Sequence, residues 1–354
     1  MSRLTAELAA RGHNVSLITM SAAKSDRYAL SPGVERIALD MESVSRNGVE
    51  KVINTARRVV ALGASIRKLR PDVIVSFVET TNVIVLLANL ALRVPVVVSE
   101  RSDPRRHRVG PETALLRIIL YGMADALVVQ TQSTLGWARG LPRQPPTYVI
   151  PNAMSVPPAA GVTEALRWKP FVLGVGRLSQ EKGFDCLIRA FARVRPLRSE
   201  LRLVILGEGR DREQLERLCA AEKVADAVHM PGHRATGEWL RHASIFVLPS
   251  RYEGFPNALG EAMAAAVPIV ATRCQSGPEE MIEHGQSGLL VPVDDVDAMA
   301  QAIGQLATEA ELARKLGESA RQTAEKQFAP QSVWNRWEAV IQEAKLRRRG
   351  LAEF

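Results

Sequence analysis

Short runs of β-branched and other apolar residues alternate along the chain with longer stretches of amphipathic helical character. Such alternation predicts parallel strands joined by crossover helices. Twelve runs predict strands, six in each half of the chain: Val15–Met20, Val34–Leu39, Val73–Val78, Val96–Glu100, Ala126–Thr131 and Tyr148–Ile150, then Phe171–Val175, Leu201–Leu206, Val228–Met230, Ile245–Pro249, Ile269–Thr272 and Gly288–Val291. The pattern therefore predicts an α/β protein with two Rossmann-like, doubly wound domains.

The segment Pro151–Gly161 interrupts this alternation, because it contains three prolines and little apolar periodicity. We interpret it as an interdomain linker. The resulting prediction is a first domain over residues 1–154 and a second over 155–328. A final helix over 329–354 is expected to pack back on the first domain.

The start of the chain departs from the pattern of a complete doubly wound domain. A helix candidate comes first, with Leu4 and Leu8 on one face and Gly12 as its stop signal. A complete domain of this kind would open with a strand and a glycine-rich turn. We therefore expect the first domain to lack its first strand, either because the true start lies upstream of Met1 or because the chain is truncated.

Composition narrows the class of protein. The 354 residues are 46% apolar and 24% charged, a balance typical of globular domains. No apolar run reaches the roughly 18 to 20 residues of a membrane span, and Arg3, Glu7 and Arg11 are unlike a signal peptide. The three cysteines lie far apart, which predicts neither a disulfide framework nor a zinc site and favours the cytoplasm.

The formal charge of +8 is concentrated in the first half of the chain. Residues 1–160 contain 20 Lys and Arg against 12 Asp and Glu, whereas residues 161–354 contain 26 of each sign. This asymmetry indicates an anionic partner for the first half. Nucleic acid is disfavoured by the 5% aromatic content, which leaves an anionic membrane surface or a phosphorylated substrate.

A glycine-rich turn opens the second domain, where Gly174–Gly183 runs from the end of a strand into a helix. Backbone N–H groups at such a turn face an anion. Arg177 can donate two hydrogen bonds to phosphate oxygens, and Lys182 adds a positive charge on a mobile side chain. The pair could therefore hold a diphosphate without a metal ion. The alternative is that both are ordinary solvated charges beside a turn.

Two carboxylates bracket a loop that becomes a helix at about Asn257. Glu253 follows a strand and is expected to face the crevice where open α/β sheets bind ligands, whereas Glu261 could accept hydrogen bonds from ribose hydroxyls. Backbone amides at this helix start suit phosphate or sugar oxygens, namely those of Phe255, Asn257, Ala258 and Leu259. Helix capping by Asn257 and solvated charges at either Glu are the alternatives.

These motifs together resemble the donor domain of glycosyltransferase family 4. The resemblance rests on the pair Glu253 and Glu261, on G-R-L-x-x-x-K-G from Gly176 and on Gly207-Glu208-Gly209 after a strand. It implies a GT-B fold, in which two Rossmann-like domains face each other across a cleft. It also implies a nucleotide-sugar donor, retention of anomeric configuration and no cofactor or metal.

The resemblance also implies residue roles. Arg177 and Lys182 would bind the donor diphosphate and, with Glu253 on the transferred sugar, form the catalytic set, while Glu261 would hold the ribose. The remaining donor contacts would come from backbone and apolar positions of the same motifs, namely Gly176, Gly207, Gly254, Phe255, Asn257, Ala258 and Leu259.

The first domain resembles the acceptor half of this family less closely. The segment Ser99–Pro104 reads S-E-R-x-D-P, which resembles an amylovoran-type subgroup acting on lipid-linked or polysaccharide intermediates. Glu100, Arg101 and Asn152 are therefore candidate acceptor or sugar contacts. An ion pair between Arg101 and Asp103, and a turn-forming role for Asn152, are the alternatives.

The resulting expectation is a retaining hexosyl- or N-acetylhexosaminyltransferase. It would use a UDP-sugar and a polyprenyl-diphosphate-linked or polysaccharide acceptor in the cytoplasm, with peripheral contact to the inner membrane. Two alternatives stay open, a nucleotide-sugar 2-epimerase of the same fold and a truncated, inactive nucleotide-sugar-binding protein. A nicotinamide-dependent dehydrogenase is disfavoured because no complete glycine fingerprint is present.

Overall fold

The computed structural model describes residues 1–22, 30–42, 46–106, 109–157, 164–274, 276–348 and 350. Within these residues the chain divides into two compact domains, each built on parallel β-sheet with helices. The first domain comprises Met1–Gln130, Thr134–Ile150 and the chain from Trp334 onward, and the second comprises Thr131–Ser133 and Pro151–Val333.

The first domain contains two parallel sheets. Strand β1 (Val15–Thr19) pairs with β2 (Val34–Ala38). A four-stranded sheet has the order β3-β4-β5-β6, with strands at Ile74–Phe77, Val96–Ser99, Ala126–Val129 and Thr147–Val149. Among the described residues, helices α1 to α5 accompany these strands, at Ser2–Ala10, Gly48–Leu69, Glu79–Asn89, Pro111–Leu120 and Gln132–Ala138, and most of a helix near the end of the chain joins them. Helix α1 precedes the first strand of the described chain, as the sequence predicts.

The central strands of the four-stranded sheet are buried along their whole length. β4 reads Val-Val-Val-Ser and β5 reads Ala-Leu-Val-Val, and each of their residues is buried. Such continuous apolar runs are typical of parallel strands whose two faces are both covered. This burial fixes the carboxyl ends of the strands, where Glu100 and Arg101 follow β4.

The second domain contains one parallel sheet of six strands in the order β12-β11-β10-β7-β8-β9. The strands β7 to β12 lie at Phe171–Val175, Arg202–Leu206, Val228–Gly232, Ile245–Leu248, Ile269–Thr272 and Leu289–Val291. The helices α6 to α12 lie at Phe184–Val194, Arg212–Ala221, Thr236–His242, Asn257–Ala264, Pro278–Met281, Val296–Thr308 and Ala310–Gln327. Two apolar cores pack around this sheet. Each of the twelve strands overlaps one of the twelve runs predicted from the sequence.

The strand order of the second domain reverses at β7. The next strand along the chain, β8, lies on one side of β7, and β10 lies on the other. Open α/β sheets bind ligands at such a reversal, beyond the carboxyl ends of the strands. The glycine-rich turn follows β7 and the loop with Glu253 follows β10, so the topology brings the two motifs to neighbouring strands.

The domain boundaries differ by a few residues from those predicted. The first domain ends at Ile150 rather than 154, and Pro151, which we interpreted as the start of a linker, belongs to the second domain. The last helix, α13 (Pro330–Arg348), joins the first domain from Trp334 onward rather than from 329.

Helix α13 is fastened to the first domain by aromatic and ionic contacts. The ring of Trp337, which is buried, lies 5.5 Å from the ring of Phe77, between centroids. The carboxylate of Glu338 accepts a hydrogen bond from Arg11 at 2.6 Å and pairs with the ring nitrogen of His13 at 2.9 Å. This helix is therefore part of the first domain's packing.

Replacing Trp337 by alanine should destabilise the first domain. Loss of a buried Trp leaves a cavity and costs about 3–5 kcal/mol in protein cores, and its contact with Phe77 would be lost as well. Urea unfolding followed by far-UV circular dichroism measures the change. The matched control is Leu346→Ala on the same helix, where the side chain is exposed. Equal stabilities of the two variants would contradict the packing described.

Candidate functional site

The turn after β7 is built on close approaches between backbone segments. The amide of Gly176 donates to the carbonyl of Leu206 at 3.0 Å. Gly207 has φ of +139°, and a Cβ at this position would lie 1.9 Å from the carbonyl oxygen of Gly176. Only glycine fits such a position without moving the turn. Gly176 and Gly207, both predicted donor contacts, therefore face each other.

A second close approach joins this turn to the end of β10. Gly183 ends the 3-10 turn Gln180–Lys182 with φ of +66°, and a Cβ there would lie 2.1 Å from the carbonyl oxygen of Pro249. The backbone at Lys182 is thus held against the loop that begins after β10. This packing places the lysine side chain beside Glu253.

Lys182 and Glu253 form an ion pair. The ammonium nitrogen of Lys182 lies 2.6 Å from Oε1 of Glu253, and the hydroxyl of Ser250 donates to the same oxygen at 2.7 Å. The Glu253 side chain is 7% exposed and that of Lys182 is 25% exposed. The carboxylate is therefore satisfied and largely buried, while the ammonium retains a face toward solvent.

The loop that carries Glu253 is also held through its backbone. The hydroxyl of Ser276 donates to the backbone carbonyl of Glu253 at 2.6 Å. Burial, reinforced by the negative charge of Glu253, raises the pKa of the nearby Cys274 thiol to about 12. This thiol therefore stays protonated at neutral pH and acts as a packing group.

Arg177 lies on the exposed side of the turn, and its guanidinium forms no hydrogen bond or ion pair with the residues that the structure describes. A guanidinium without an internal partner is suited to an incoming anion. Lys182 is the other cation of the turn, and its described ion pair uses Glu253. The turn thus carries two cations and one carboxylate, Glu181, which accepts a hydrogen bond from Ser179. The next loop carries Arg251 and Glu253.

Arg251, which the sequence motifs alone did not single out, ties the two loops together. Its guanidinium binds both carboxylate oxygens of Asp185, at 3.0 and 2.7 Å, and reaches Asp294 at 2.8 Å. It also donates to the carbonyl of Gln180, and its backbone amide donates to the carbonyl of Glu181 at 2.8 Å. The hydrogen bonds to Asp185 are the main reason that the pKa of Arg251 is raised. Arg251 lies two positions before Glu253, but its acidic partners are 66 and 43 positions away, so the sequence pattern does not reveal them.

Helix α9 holds further predicted donor contacts. Asn257 is exposed in the first turn, and its side-chain oxygen accepts a hydrogen bond from the amide of Asn152 at 2.6 Å. Asn152 thus belongs to the second domain, rather than to the first domain as expected, because its backbone follows the boundary at Ile150. Glu261, one turn further along α9, accepts a hydrogen bond from the hydroxyl of Thr236 at 3.0 Å.

The other members of this group follow the same loop and helix. Phe255 is buried edge-on against Phe328. Gly254 and Ala258 are half-buried, and Leu259 is fully buried in the core. The side chain of Leu259 therefore faces the protein interior, and only its backbone is placed at the helix start.

The candidates in the first domain lie in a buried polar cluster. Burial raises the pKa of Glu100 to about 7; Arg117 opposes this increase and Glu79 adds to it. The hydroxyl of Tyr121 donates to Oε2 of Glu100 at 3.0 Å, and Asn82 donates to that hydroxyl at 2.9 Å. Oε1 of Glu100 has no hydrogen-bond partner in the described parts of the chain.

Arg101 lies at the edge of this cluster. Its guanidinium carbon is 5.3 Å from the centroid of the Phe77 ring, and burial lowers its pKa to about 10. Asp103, considered as an alternative partner for Arg101, accepts hydrogen bonds from Arg105 at 3.0 and 3.1 Å. Glu100 is buried against Tyr121 and Arg117, whereas Arg101 is half-buried and stays charged at neutral pH.

The described residues offer neither a metal centre nor a membrane span. No group of three or more His, Cys, Asp or Glu side chains in this part of the chain could hold a metal ion. None of the helices described above is both long enough and apolar enough to cross a membrane.

Each half of the chain matches a protein-family model. Residues 1–153 match the model of the glycosyl transferase 4-like domain, and residues 164–323 match that of glycosyl transferases group 1. Both halves of the chain are therefore similar to glycosyltransferase domains. The site at β7 and β10 lies in the group 1 domain, and the Glu100 cluster lies in the 4-like domain.

Curated relatives of the chain are named as enzymes that act on glycans. An exopolysaccharide phosphotransferase of Streptomyces coelicolor is 34% identical over 82% of this chain and 30% of its own length. An α-1,4-N-acetyl-D-galactosaminyltransferase of Campylobacter jejuni, named for a diphospho-undecaprenol-linked substrate, is 25% identical over 94% of this chain and 91% of its own length. For three curated relatives, the Streptomyces protein among them, the chain spans only 30% to 64% of the relative's length.

Solved structures agree with the fold. Sucrose-phosphate synthase from Thermosynechococcus elongatus has a TM-score of 0.79 at 22% identity, covering 96% of this chain and 91% of that one. The Anabaena protein HepE, solved with UDP and glucose, has a TM-score of 0.79 at 17% identity, covering 96% and 94%. These likenesses confirm the predicted GT-B fold class for the two domains.

The buried carboxyl of Glu100 should make stability depend on pH. Its pKa of about 7 in the folded protein exceeds its ordinary value of 4.5, so between these values the folded state keeps a proton that the unfolded state releases. The free energy of unfolding therefore falls as pH rises through this window. In Glu100→Gln this contribution is removed, and the variant should gain stability relative to the wild type as pH increases.

Urea titrations of both proteins at several pH values between about 5 and 8 measure this difference. Glu213→Gln, at an exposed position of α7, is the control and should follow the wild type. A difference between wild type and Glu100→Gln that is independent of pH would contradict the assignment.

Replacing Arg251 by glutamine should loosen the turn that carries Lys182. Hydrogen bonds to charged groups contribute about 1.5–3 kcal/mol each, so loss of this network should speed amide exchange in Gln180–Gly183 about tenfold or more. Hydrogen exchange read by mass spectrometry measures it. Arg314→Gln removes a similar arginine bridge on α12, to Glu311 and Glu318, and should leave this turn unchanged. Unaltered exchange in Arg251→Gln would remove its positioning role.

Proposed function

We propose that this protein is a retaining glycosyltransferase that moves a hexose or N-acetylhexosamine from a UDP-sugar to a lipid-linked or polysaccharide acceptor. The observation that carries the proposal is the ion pair of Lys182 with Glu253 at the carboxyl ends of adjacent strands β7 and β10, beside the exposed Arg177. Its position at the strand-order reversal is where ligands bind in open α/β sheets.

The two cations would hold the donor diphosphate. Arg177 can approach two phosphate oxygens at once, and Lys182 can turn its exposed face toward the same group while Glu253 holds the other side. Negative charge grows on the diphosphate as its bond to the sugar breaks. Cations already in place stabilise that charge at no reorganisation cost, and each such contact is typically worth about 3–4 kcal/mol.

Glu253 would act on both the sugar and the lysine. Its Oε1 is occupied by Lys182 and Ser250, and we assign Oε2 to a hydroxyl of the transferred sugar. Glu261 would receive the ribose hydroxyls near Thr236. Retention would follow attack on the same face as the departing diphosphate, which itself helps to remove the acceptor proton, so no protein nucleophile is assigned.

The acceptor class is proposed from a relative and from charge. The Campylobacter jejuni enzyme is named for a glycan on diphospho-undecaprenol. The excess of Lys and Arg in the first 160 residues suits a lipid-linked diphosphate. We therefore assign acceptor binding to the first domain, with the half-buried Arg101 as a contact.

Transfer of radiolabelled sugar from UDP-sugars to a lipid-linked acceptor tests this proposal. Arg177→Gln and Lys182→Met should each lower kcat about 100-fold or more, because each removes charge stabilisation of the leaving group. The matched controls are Arg321→Gln and Lys315→Met, both at exposed positions of α12, and they should keep wild-type rates. Circular dichroism checks that all four variants are folded.

The same assay separates the two alternatives. Transfer that continues within about twofold of wild type in both Arg177→Gln and Lys182→Met would remove the site assignment. Isomerisation of the UDP-sugar without any acceptor would favour an epimerase. Tight UDP binding by calorimetry with neither transfer nor hydrolysis would favour a protein that only binds the nucleotide sugar.

A further inference from the structure

The outer face of helix α2 carries an exposed apolar stripe. Val49, Val52, Ile53 and Val60 are between 47% and 72% exposed. At about 100° per residue their side chains fall within an arc of about 100°. The core-facing side of the same helix is separate, with Leu62 and Ile66 buried. The helix is thus apolar on two faces, and only one of them is covered by the described residues.

Helix α4 shows the same feature. Leu115, Ile118 and Ile119 are between 39% and 59% exposed, while Arg117 and Leu120 face the core. The two helices belong to one region of the first domain, because Nζ of Lys51 in the first turns of α2 lies 2.9 Å from Oε2 of Glu112 in α4. Single exposed apolar residues are ordinary, but stripes on two linked helices mark an interaction surface.

The charges around the α2 stripe are mostly positive. From Arg46 to Arg70 the sequence contains seven Lys and Arg against one acidic residue, Glu50. Arg57 and Arg67 are exposed on α2 itself, close to the stripe in helical projection. Aliphatic side chains flanked by cations are the pattern of helices that lie in the interface of an anionic bilayer.

We propose that the outer faces of α2 and α4 dock the first domain on an anionic lipid surface. The aliphatic side chains enter the boundary between headgroups and acyl chains, and the flanking arginines and lysines contact anionic headgroups. The cations beside the aliphatic stripe of α2 favour this occupant over a protein partner, which the experiment below also tests. The proposal rests on the proposed function in one respect, since a lipid-linked acceptor gives the docking its purpose.

Co-sedimentation of the full chain with vesicles tests the surface without any activity assay. The vesicles are phosphatidylcholine alone or phosphatidylcholine with about a third phosphatidylglycerol. The double variants Val52→Gln/Ile53→Gln and Ile118→Gln/Ile119→Gln should each bind the anionic vesicles about tenfold more weakly than wild type. Leu197→Gln in the second domain, where the leucine is 84% exposed, is the control and should bind as wild type does.

Each other outcome is decisive. Absence of vesicle binding by the wild type, equal binding by wild type and both double variants, or equal binding to the two kinds of vesicle would overturn the proposal. Self-association that the double variants abolish, without vesicle binding, would assign the stripes to a protein interface instead. Failure of sugar transfer with intact, variant-sensitive vesicle binding would reject the proposed function and leave the docking surface standing.

Discussion

The close contact between the turn after β7 and the loop after β10 is the constraint on which the site depends. Lys182 and Glu253 are separated by 71 positions in the sequence, yet their charged atoms lie 2.6 Å apart. The approach requires glycine at position 183, because a Cβ there would strike the carbonyl oxygen of Pro249. Without this approach the two motifs would share a sheet edge but not a common charged centre.

Burial has two opposite effects on this ion pair, because it strengthens the attraction between the charges and imposes a desolvation penalty. Removing charges from water is unfavourable unless partners replace the lost hydration. Glu253 gains Lys182 and Ser250 as partners, and Lys182 keeps part of its surface in solvent. Arg251 adds a second set of charged contacts behind the pair, through Asp185 and Asp294. Glu253 is therefore held by hydrogen bonds within the protein, and the Lys182 ammonium is partly open to solvent on the side that would face an anion.

Much of the fold could be predicted from the sequence. Strands such as β4 and β5 are short, continuous apolar runs, which are typical of parallel strands buried on both faces. The domain boundary was less predictable, because the linker-like composition that begins at Pro151 does not reveal which domain the backbone packs against. The proximity of the glycine turn to the Glu253 loop followed from strand order. The partners of individual side chains could not be predicted from strand order. The ion pair of Arg251 with Asp185 and the burial of Glu100 depend on tertiary packing, which the periodicity of the sequence does not show.

The central claim is that Arg177 and Lys182 together bind a diphosphate. A crystal structure of the protein soaked with UDP tests it most directly. We predict diphosphate oxygens within hydrogen-bond distance of both side chains, with Lys182 still paired to Glu253. A UDP molecule bound elsewhere, or one whose phosphates contact neither cation, would contradict this claim.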